Sequence, residues 1–303
     1  MSGDLGRIHG SVGVAIQEPR IVLKASHAPI LKAKGKRSER ILEYADIILK
    51  DAGIDKGVEF ELVSDIPEHE GFGSGTQLAL AVGSAISQLF DLNLSVDDIA
   101  LTLARGKRSG IGIQIFKHGG FVVDGGHRTD KPNSIPPLVF HSDIPENWFF
   151  VIGVPGIKKI FSGEVEKRAF QVIEPPPKSL IGEVARIVLI KMMPGLIEND
   201  VRAFGEAMTE IDYKVGEYWL KIQGGRFSHP LIEEGIEFIL KSGVYGAGQS
   251  SWGPAFYGLV DGEKEAKRIT EELWKFLNVE GKRGSAFYTK ADNEGAKINI
   301  TRK

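Results

Sequence analysis

The chain has 303 residues, 42% of them apolar and 26% charged, which is enough to bury the cores of two domains of about 150 residues each. With 38 Lys and Arg against 40 Asp and Glu the net charge is -2, which excludes a global basic field for nucleic acid; the absence of cysteine excludes disulfides, thiol nucleophiles and Cys-bound metals. No stretch approaches the roughly 18 uninterrupted apolar residues of a membrane span, and the first residues lack a secretion signal, so a cytoplasmic protein engaging neither nucleic acid nor membrane is expected.

In chain order, "SVGVAI" and "RIVLKA" are β-rich, and Glu59 and Glu61 alternate with Val58, Phe60 and Leu62 as in a half-buried strand. Between them Ile41, Leu42, Ala45, Ile48 and Leu49 recur at helical spacing, with Ser38 the expected N-cap and Gly53 the stop. The basic run Lys32, Lys34, Lys36, Arg37 and Arg40 reads as a solvated loop or as a gate over an anionic substrate. A second helix carries Leu78, Val82, Ala85, Ile86 and Leu89 on one stripe, and a third opens with a capping box of Ser95 and Asp98. "GGFVVDGGH" reads as a short strand between turns, and "NWFFVIGVP" as a buried strand beginning a new unit after the turn-rich "DKPNSIPP". The boundary falls near 145, giving domains 1–144 and 145–303. Beyond it, 162–173 and 180–222 have helical period, "PAFYGLV" is β-rich, "EKEAKRITEELWKFL" is an amphipathic helix, and "AFYTKA" and "AKINI" are closing strands. Phe204, Met208 and Ile211 form a core stripe. The class is α+β, with no internal repeat.

One stretch carries chemistry. Gly71-Phe72-Gly73-Ser74-Gly75-Thr76 runs into the second helix, where free N–H groups and the positive end of the helix dipole suit an anion; the alternative is a plain glycine-rich cap. It matches neither a Walker loop nor the dinucleotide or nucleophile-elbow patterns, and "HGGF" at 118–121 has no nucleophile elbow to serve.

"GFGSGTQLALAV" resembles the second motif of the GHMP small-molecule kinases, which lies over nucleotide phosphates. Two positions depart from it: Gly75 stands where those kinases place a serine that binds magnesium in several members, and Gly112 where many carry a catalytic carboxylate. The departures, with "RGKRSGIGI", "GGFVVDGGH" and "GAGQSSWGPAFYGLV", are similar to β-ribofuranosylaminobenzene 5'-phosphate synthase, a non-kinase family of the same superfamily. The resemblance extends from "GDLGRIHGSVGVAI" to the C-terminus. It implies a two-domain GHMP-kinase-like fold, with a ribosomal-S5-domain-2-like first domain and a ferredoxin-like second one. The implied reaction joins phosphoribosyl pyrophosphate to 4-hydroxybenzoate or 4-aminobenzoate, releases pyrophosphate and CO2, and serves methanopterin synthesis in archaea. Mg2+ is expected and ATP is not; an ATP-dependent small-molecule kinase is the alternative. The family also carries a strand before "GDLGR", so an unpaired edge and a homodimer are expected.

Pyrophosphate departure builds positive charge on the ribose and negative charge on the leaving group, so the site calls for oriented donors and basic side chains. Gly73, Ser74, Gly75, Thr76 and Gln77 are candidate phosphate binders, joined by Arg105, Lys107 and Arg108 after the next helix and by Arg7 as a second anion clamp. Asp124 is the candidate metal ligand or stabiliser of the ribosyl cation, with Asp4 a weaker acid; Asp-Gly is otherwise good turn chemistry. His9 and His127 are candidates to orient or deprotonate the aromatic hydroxyl. Gln249, Ser250, Ser251 and Trp252 occupy the place of the kinases' third motif, the serines for phosphate or carboxylate and the indole for stacking on the acceptor.

Overall fold

In the computed structural model, residues 5–157, 174–279 and 283–301 are described; the helix expected at 162–173 and the candidate acid Asp4 lie outside them. The chain forms two units that are interleaved in sequence. The first takes Leu5–Pro67, Gly73–Asp143 and the chain from Asp292 onward; the second takes Glu68–Phe72 and Ile144–Ala291.

In the first unit, β1 (Arg7–Ile8) pairs with β7 (His127–Arg128), and β2 (Ser11–Val14), β6 (Phe121–Asp124) and β8 (Leu138–Ser142) form a sheet in the order β2-β6-β8. A third sheet has β5 (Gly57–Ser64) between β3 (Val22–Ala28), antiparallel to it, and β4 (Lys32–Lys34), parallel to it. The alternation along β5 buries Val58 and Phe60 fully and turns Glu59 outward, where Lys32 and Lys34 reach it at 2.9 and 2.7 Å. Arg37 pairs with Asp65 at 2.9 Å. Lys32, Lys34 and Arg37 of the basic run therefore lie on a strand edge and helix entry, each answered by a neighbouring carboxylate.

Helix α1 (Ser38–Asp51) buries Ile41, Tyr44, Ala45, Ile48 and Leu49. Its N-cap is Arg37, left-handed at φ 58°, so Ser38 is the first helical residue and not the cap. Helix α2 (Ser74–Leu89) buries Leu78, Val82 and Ile86 completely, and α3 (Val96–Thr102) has the expected Ser95–Asp98 capping box. Helix α4 (Ile111–His118) has no counterpart in the sequence reading, because Gly110 and Gly112 mask its period. The expected strand at 296–300 is also absent: the segment runs as irregular chain, with the Ala296 N–H on the Phe116 carbonyl at 2.8 Å.

The second unit is built on an antiparallel sheet, β10 (Gly246–Gln249), β11 (Phe256–Asp261), β9 (Trp148–Pro155) and β12 (Gly284–Lys290), in the order β10-β11-β9-β12. Every residue of β9 is buried. The expected continuous helical run over 180–222 is broken into α5 (Lys178–Ile187), a π-helical turn (Val188–Met192), α6 (Met193–Ile197) and α7 (Val201–Gln223). Two local causes are visible: Pro194 opens α6, and left-handed Asn199 precedes Asp200, whose carboxylate caps α7 through the N–H groups of Arg202 and Ala203. Helix α8 (Pro230–Lys241) and helix α9 (Glu263–Leu277) complete the unit. Ile232, Ile236 and Ile239 from α8 join Ala266, Ile269 and Leu273 from α9 in its core.

Candidate active site

The cradle in the first unit begins at Gly73, the N-cap of α2, which is left-handed at φ 68°. No side chain caps this helix start and no acidic residue occupies its first turn. The Thr76 and Gln77 N–H groups fold back onto the Gly73 carbonyl at 3.0 and 3.2 Å, leaving the positive helix end to Ser74 and Gly75. Gly75 carries no strain; a Cβ there would stand 3.7 Å from Nη1 of Arg105, so this guanidinium lies beside the start of the helix.

Arg105 is fixed by a residue that sequence reasoning missed. Its Nη2 donates to the Tyr44 hydroxyl at 2.7 Å, and its guanidinium lies 4.8 Å from the centre of that ring. Arg40 Nε donates to the same oxygen at 2.9 Å. Arg105 has no carboxylate partner among the described residues. Lys107 is exposed and Arg108 half-buried in the following turn. Gln77, read as a ligand contact, donates instead to the Gly112 carbonyl at 2.7 Å and ties α2 to α4.

Asp124, at 1% exposure, is the most thoroughly bound of the predicted residues. One oxygen accepts from the N–H groups of Ser11 at 3.2 Å and Gly126 at 2.9 Å; the other accepts from Gly110 N–H at 2.8 Å and Ser109 hydroxyl at 3.3 Å. Burial raises its pKa, and the Gly126 and Gly110 N–H groups pull the other way. The carboxyl thus pins the start of α4 to β2 and the 125–126 turn. No group of three His, Cys, Asp or Glu side chains gathers into a metal site among the described residues. These residues do not fit a Mg2+ held by the protein alone.

Arg7 donates to the Gly126 carbonyl at 2.9 Å and so braces the same turn. His9 is left-handed at φ 62°, and its pKa is lowered, by burial first and then by nearby His127. His127, 3% exposed, has both ring nitrogens buried with no hydrogen-bond partner among the described residues.

In the second unit the third-motif turn is held by its own side chains. The Ser250 hydroxyl donates to the Gly71 carbonyl at 2.9 Å, so this serine staples the glycine loop and does not face outward. Gln249 donates from Nε2 to Ser228 Oγ at 2.5 Å and to the Gly253 carbonyl at 2.8 Å, and its Oε1 accepts from Ser228 N–H at 3.1 Å. Ser251 is exposed and left-handed, and Trp252 packs edge-on against Trp219, ring centres 4.5 Å apart. Behind the turn lies Asp212 of α7, which accepts from Gln249 N–H at 2.5 Å and is lifted by burial from 3.8 to about 7. Sequence reasoning missed Asp212, although its place four residues after Met208 puts it on the core stripe of α7. Burial, and secondarily Asp212, pushes the Tyr257 hydroxyl well above its usual range.

Residues 39–120 match the family model for the GHMP kinases N terminal domain, and 192–278 the model for GHMP kinases C terminal. The chain is 35% identical to the beta-ribofuranosylphenol 5'-phosphate synthase of Archaeoglobus fulgidus, over 99% of this chain and 95% of that protein. It is 31% identical to the protein of that name from Methanocaldococcus jannaschii, over 98% and 95%. Among solved structures it is similar to a homoserine kinase from Cytophaga hutchinsonii (TM-score 0.69, 18% identity, 94% of this chain and 90% of that one). It is also similar to the L. major mevalonate kinase (TM-score 0.68, 16% identity, 95% and 91%); these two likenesses establish the two-domain α+β GHMP fold alone. No helix of the described residues is long and apolar enough to cross a membrane. The chain therefore has the GHMP kinase fold and belongs to the beta-ribofuranosylphenol 5'-phosphate synthase family, as an enzyme of the pentosyltransferase kind.

Proposed function

We propose that the enzyme transfers the ribose 5-phosphate of phosphoribosyl pyrophosphate to the carboxyl-bearing ring carbon of 4-hydroxybenzoate, as a step in methanopterin synthesis. The observation that carries this reading is the cradle itself: an uncapped helix start with no acidic residue in its first turn, beside an Arg105 guanidinium that no carboxylate neutralises. Such a site suits the charge that grows on departing pyrophosphate. The name of the 35% identical relative puts a phenol in its product, which favours 4-hydroxybenzoate over 4-aminobenzoate.

In the proposed step the bond from the anomeric carbon to the pyrophosphate oxygen breaks, and the leaving group takes the electron pair to the start of α2 and Arg105. The ring carbon, electron-rich through its para hydroxyl, attacks the ribosyl cation from the opposite face. The bond to the carboxylate then breaks, CO2 leaves, and its electron pair restores aromaticity, so no net proton is exchanged. Arg108 and Arg7 are the proposed holders of the 5'-phosphate. His9, kept neutral by burial, is the proposed orienting partner of the phenol hydroxyl. Asp124 acts on the site by holding the 109–110 and 125–126 backbone. Mg2+ enters the proposal with the donor's diphosphate, since magnesium sites commonly combine few protein ligands with substrate phosphates.

A kinase reading is disfavoured by Gly112, which supplies no carboxylate where many kinases carry one and where an added Cβ would crowd Thr76 Cγ2 at 3.0 Å. The test is release of labelled CO2 from carboxyl-labelled 4-hydroxybenzoate with phosphoribosyl pyrophosphate and Mg2+, with ATP as the substituted control. Release that depends on phosphoribosyl pyrophosphate is expected; ADP formation without CO2 release would overturn the assignment.

A further inference from the structure

We propose that Tyr44 is a positioning residue for the diphosphate end of the donor: its hydroxyl holds the Arg105 guanidinium beside the start of α2 while leaving the full positive charge available. This rests on the reading that the cradle takes the diphosphate.

A free arginine side chain surrenders considerable rotamer freedom when it grips a ligand, and proteins usually limit that loss by tethering it. A carboxylate tether would fix the guanidinium but cancel much of its field at the anion. A phenol oxygen fixes it and cancels nothing. Tyr44 is built for this: it is 3% exposed, wedged into the core by α1, and its ring is approached by Arg105 at 4.8 Å and Arg40 at 5.3 Å. Both arginines donate to the one hydroxyl oxygen, at 2.7 and 2.9 Å. Two guanidinium groups on one oxygen repel each other. Arg40 is partly answered by exposed Glu43 at 3.1 Å, whereas Arg105 meets no acid among the described residues, and its Nε is buried without a hydrogen-bond partner there. The ring face holds both cations in place, and a multiply charged anion at the helix start relieves their repulsion. The arrangement therefore selects for a ligand end with more than one negative charge, and Gly75 keeps open the space on which Arg105 Nη1 borders.

The experiment is pyrophosphate titration by calorimetry, run on wild type, Tyr44→Phe and Arg105→Lys after circular dichroism confirms folding, with steady-state kinetics in parallel. Phenylalanine keeps the ring and removes only the acceptor. Loss of one hydrogen bond to a charged group is expected to weaken pyrophosphate about tenfold and to raise KM for phosphoribosyl pyrophosphate by a similar factor. KM for the aromatic acid stays within about twofold while kcat falls with pyrophosphate affinity, a split between donor and acceptor that simple loosening of the core does not produce. Arg105→Lys, which keeps the charge and loses the second nitrogen, should show the same split between donor and acceptor together with a lowered kcat, and serves if the phenylalanine variant does not fold. Wild-type affinity in either folded variant, or no pyrophosphate binding by wild type, overturns the proposal. Weakened pyrophosphate binding in a protein that releases no CO2 from any benzoate would leave Tyr44's role standing and remove the proposed reaction.

Discussion

Asp212→Asn isolates the α7 carboxyl behind the third-motif turn, whose charge the fold resists. Burial lifts Asp212 from 3.8 to about 7, against a single opposing hydrogen bond from Gln249 N–H. A carboxyl that holds its proton more tightly folded than unfolded contributes stability that is complete below about pH 4 and is lost as pH rises through about 7. Roughly three units at about 1.36 kcal/mol each set a ceiling near 4 kcal/mol; for a half-buried group about 2 kcal/mol is the working value. Asparagine keeps an oxygen for the Gln249 N–H and never ionises. At pH 8 the variant is therefore expected to be more stable than wild type by ~2 kcal/mol, about 4–8 °C in the unfolding midpoint for units of this size, and the gap closes toward pH 4. Thermal melts of both proteins at half-unit pH steps between 4 and 8 measure it. A variant less stable than wild type at pH 8, or a gap that does not change with pH, would refute the reasoning.

Other sites give sharper local outcomes. Gly253→Ala places a Cβ 2.2 Å from the Glu70 carbonyl carbon and Gly71 nitrogen, backbone atoms that cannot swing aside; a loss of about 1–3 kcal/mol in urea unfolding and a clear fall in kcat/KM are expected. Asp124→Asn turns an amide NH2 against groups that now donate to the carboxylate, and should cost ~3 kcal/mol or more in the same assay, with CO2 release falling at least tenfold. The double variant Gly75→Ser, Gly112→Asp should yield no ADP with homoserine or mevalonate, and should melt lower than wild type because a Cβ at position 112 crowds Thr76 Cγ2 at 3.0 Å. The pKa of His9 is lowered by burial, so activity that needs its neutral ring should hold down to pH values below its ordinary 6.5 and fall beneath them; His9→Gln should flatten that acid limb.

The first helices were legible because Leu78, Val82 and Ile86, and the Ser95–Asp98 box, are local signals that tertiary contacts reinforce. Helix α4 was not, since two glycines within three residues erase a period that Asp124 restores by accepting from Gly110 N–H across the fold. The same limit applies to the site. Residue types marked the cradle, but Gln77 and Ser250 proved to be committed to the carbonyls of Gly112 and Gly71. Tyr44 was not among the residues the sequence singled out, and only the approach of two arginines separated by 61 and 4 positions from it reveals its part. Partnerships across long sequence separation carry no signature in a single chain, which is why Asp212, bonded to Gln249 N–H 37 positions on, was not singled out.

The return of the C-terminal segment to the first unit bears on how the molecule is made. Asp292 bonds to Ala15 through its N–H at 2.9 Å and receives Gly120 N–H at 2.6 Å, and Gly119 lies so close to 292–294 that a Cβ there would meet backbone at 2.5 Å. During synthesis from the N-terminus, the unit begun first is completed last: its sheet end at β6 waits for residues that follow the whole of the second unit. Until they emerge, the nascent first unit keeps an open flank next to Phe121, and a released chain truncated after 291 should remain protease-sensitive there while its second unit, which ends at Ala291, is closed.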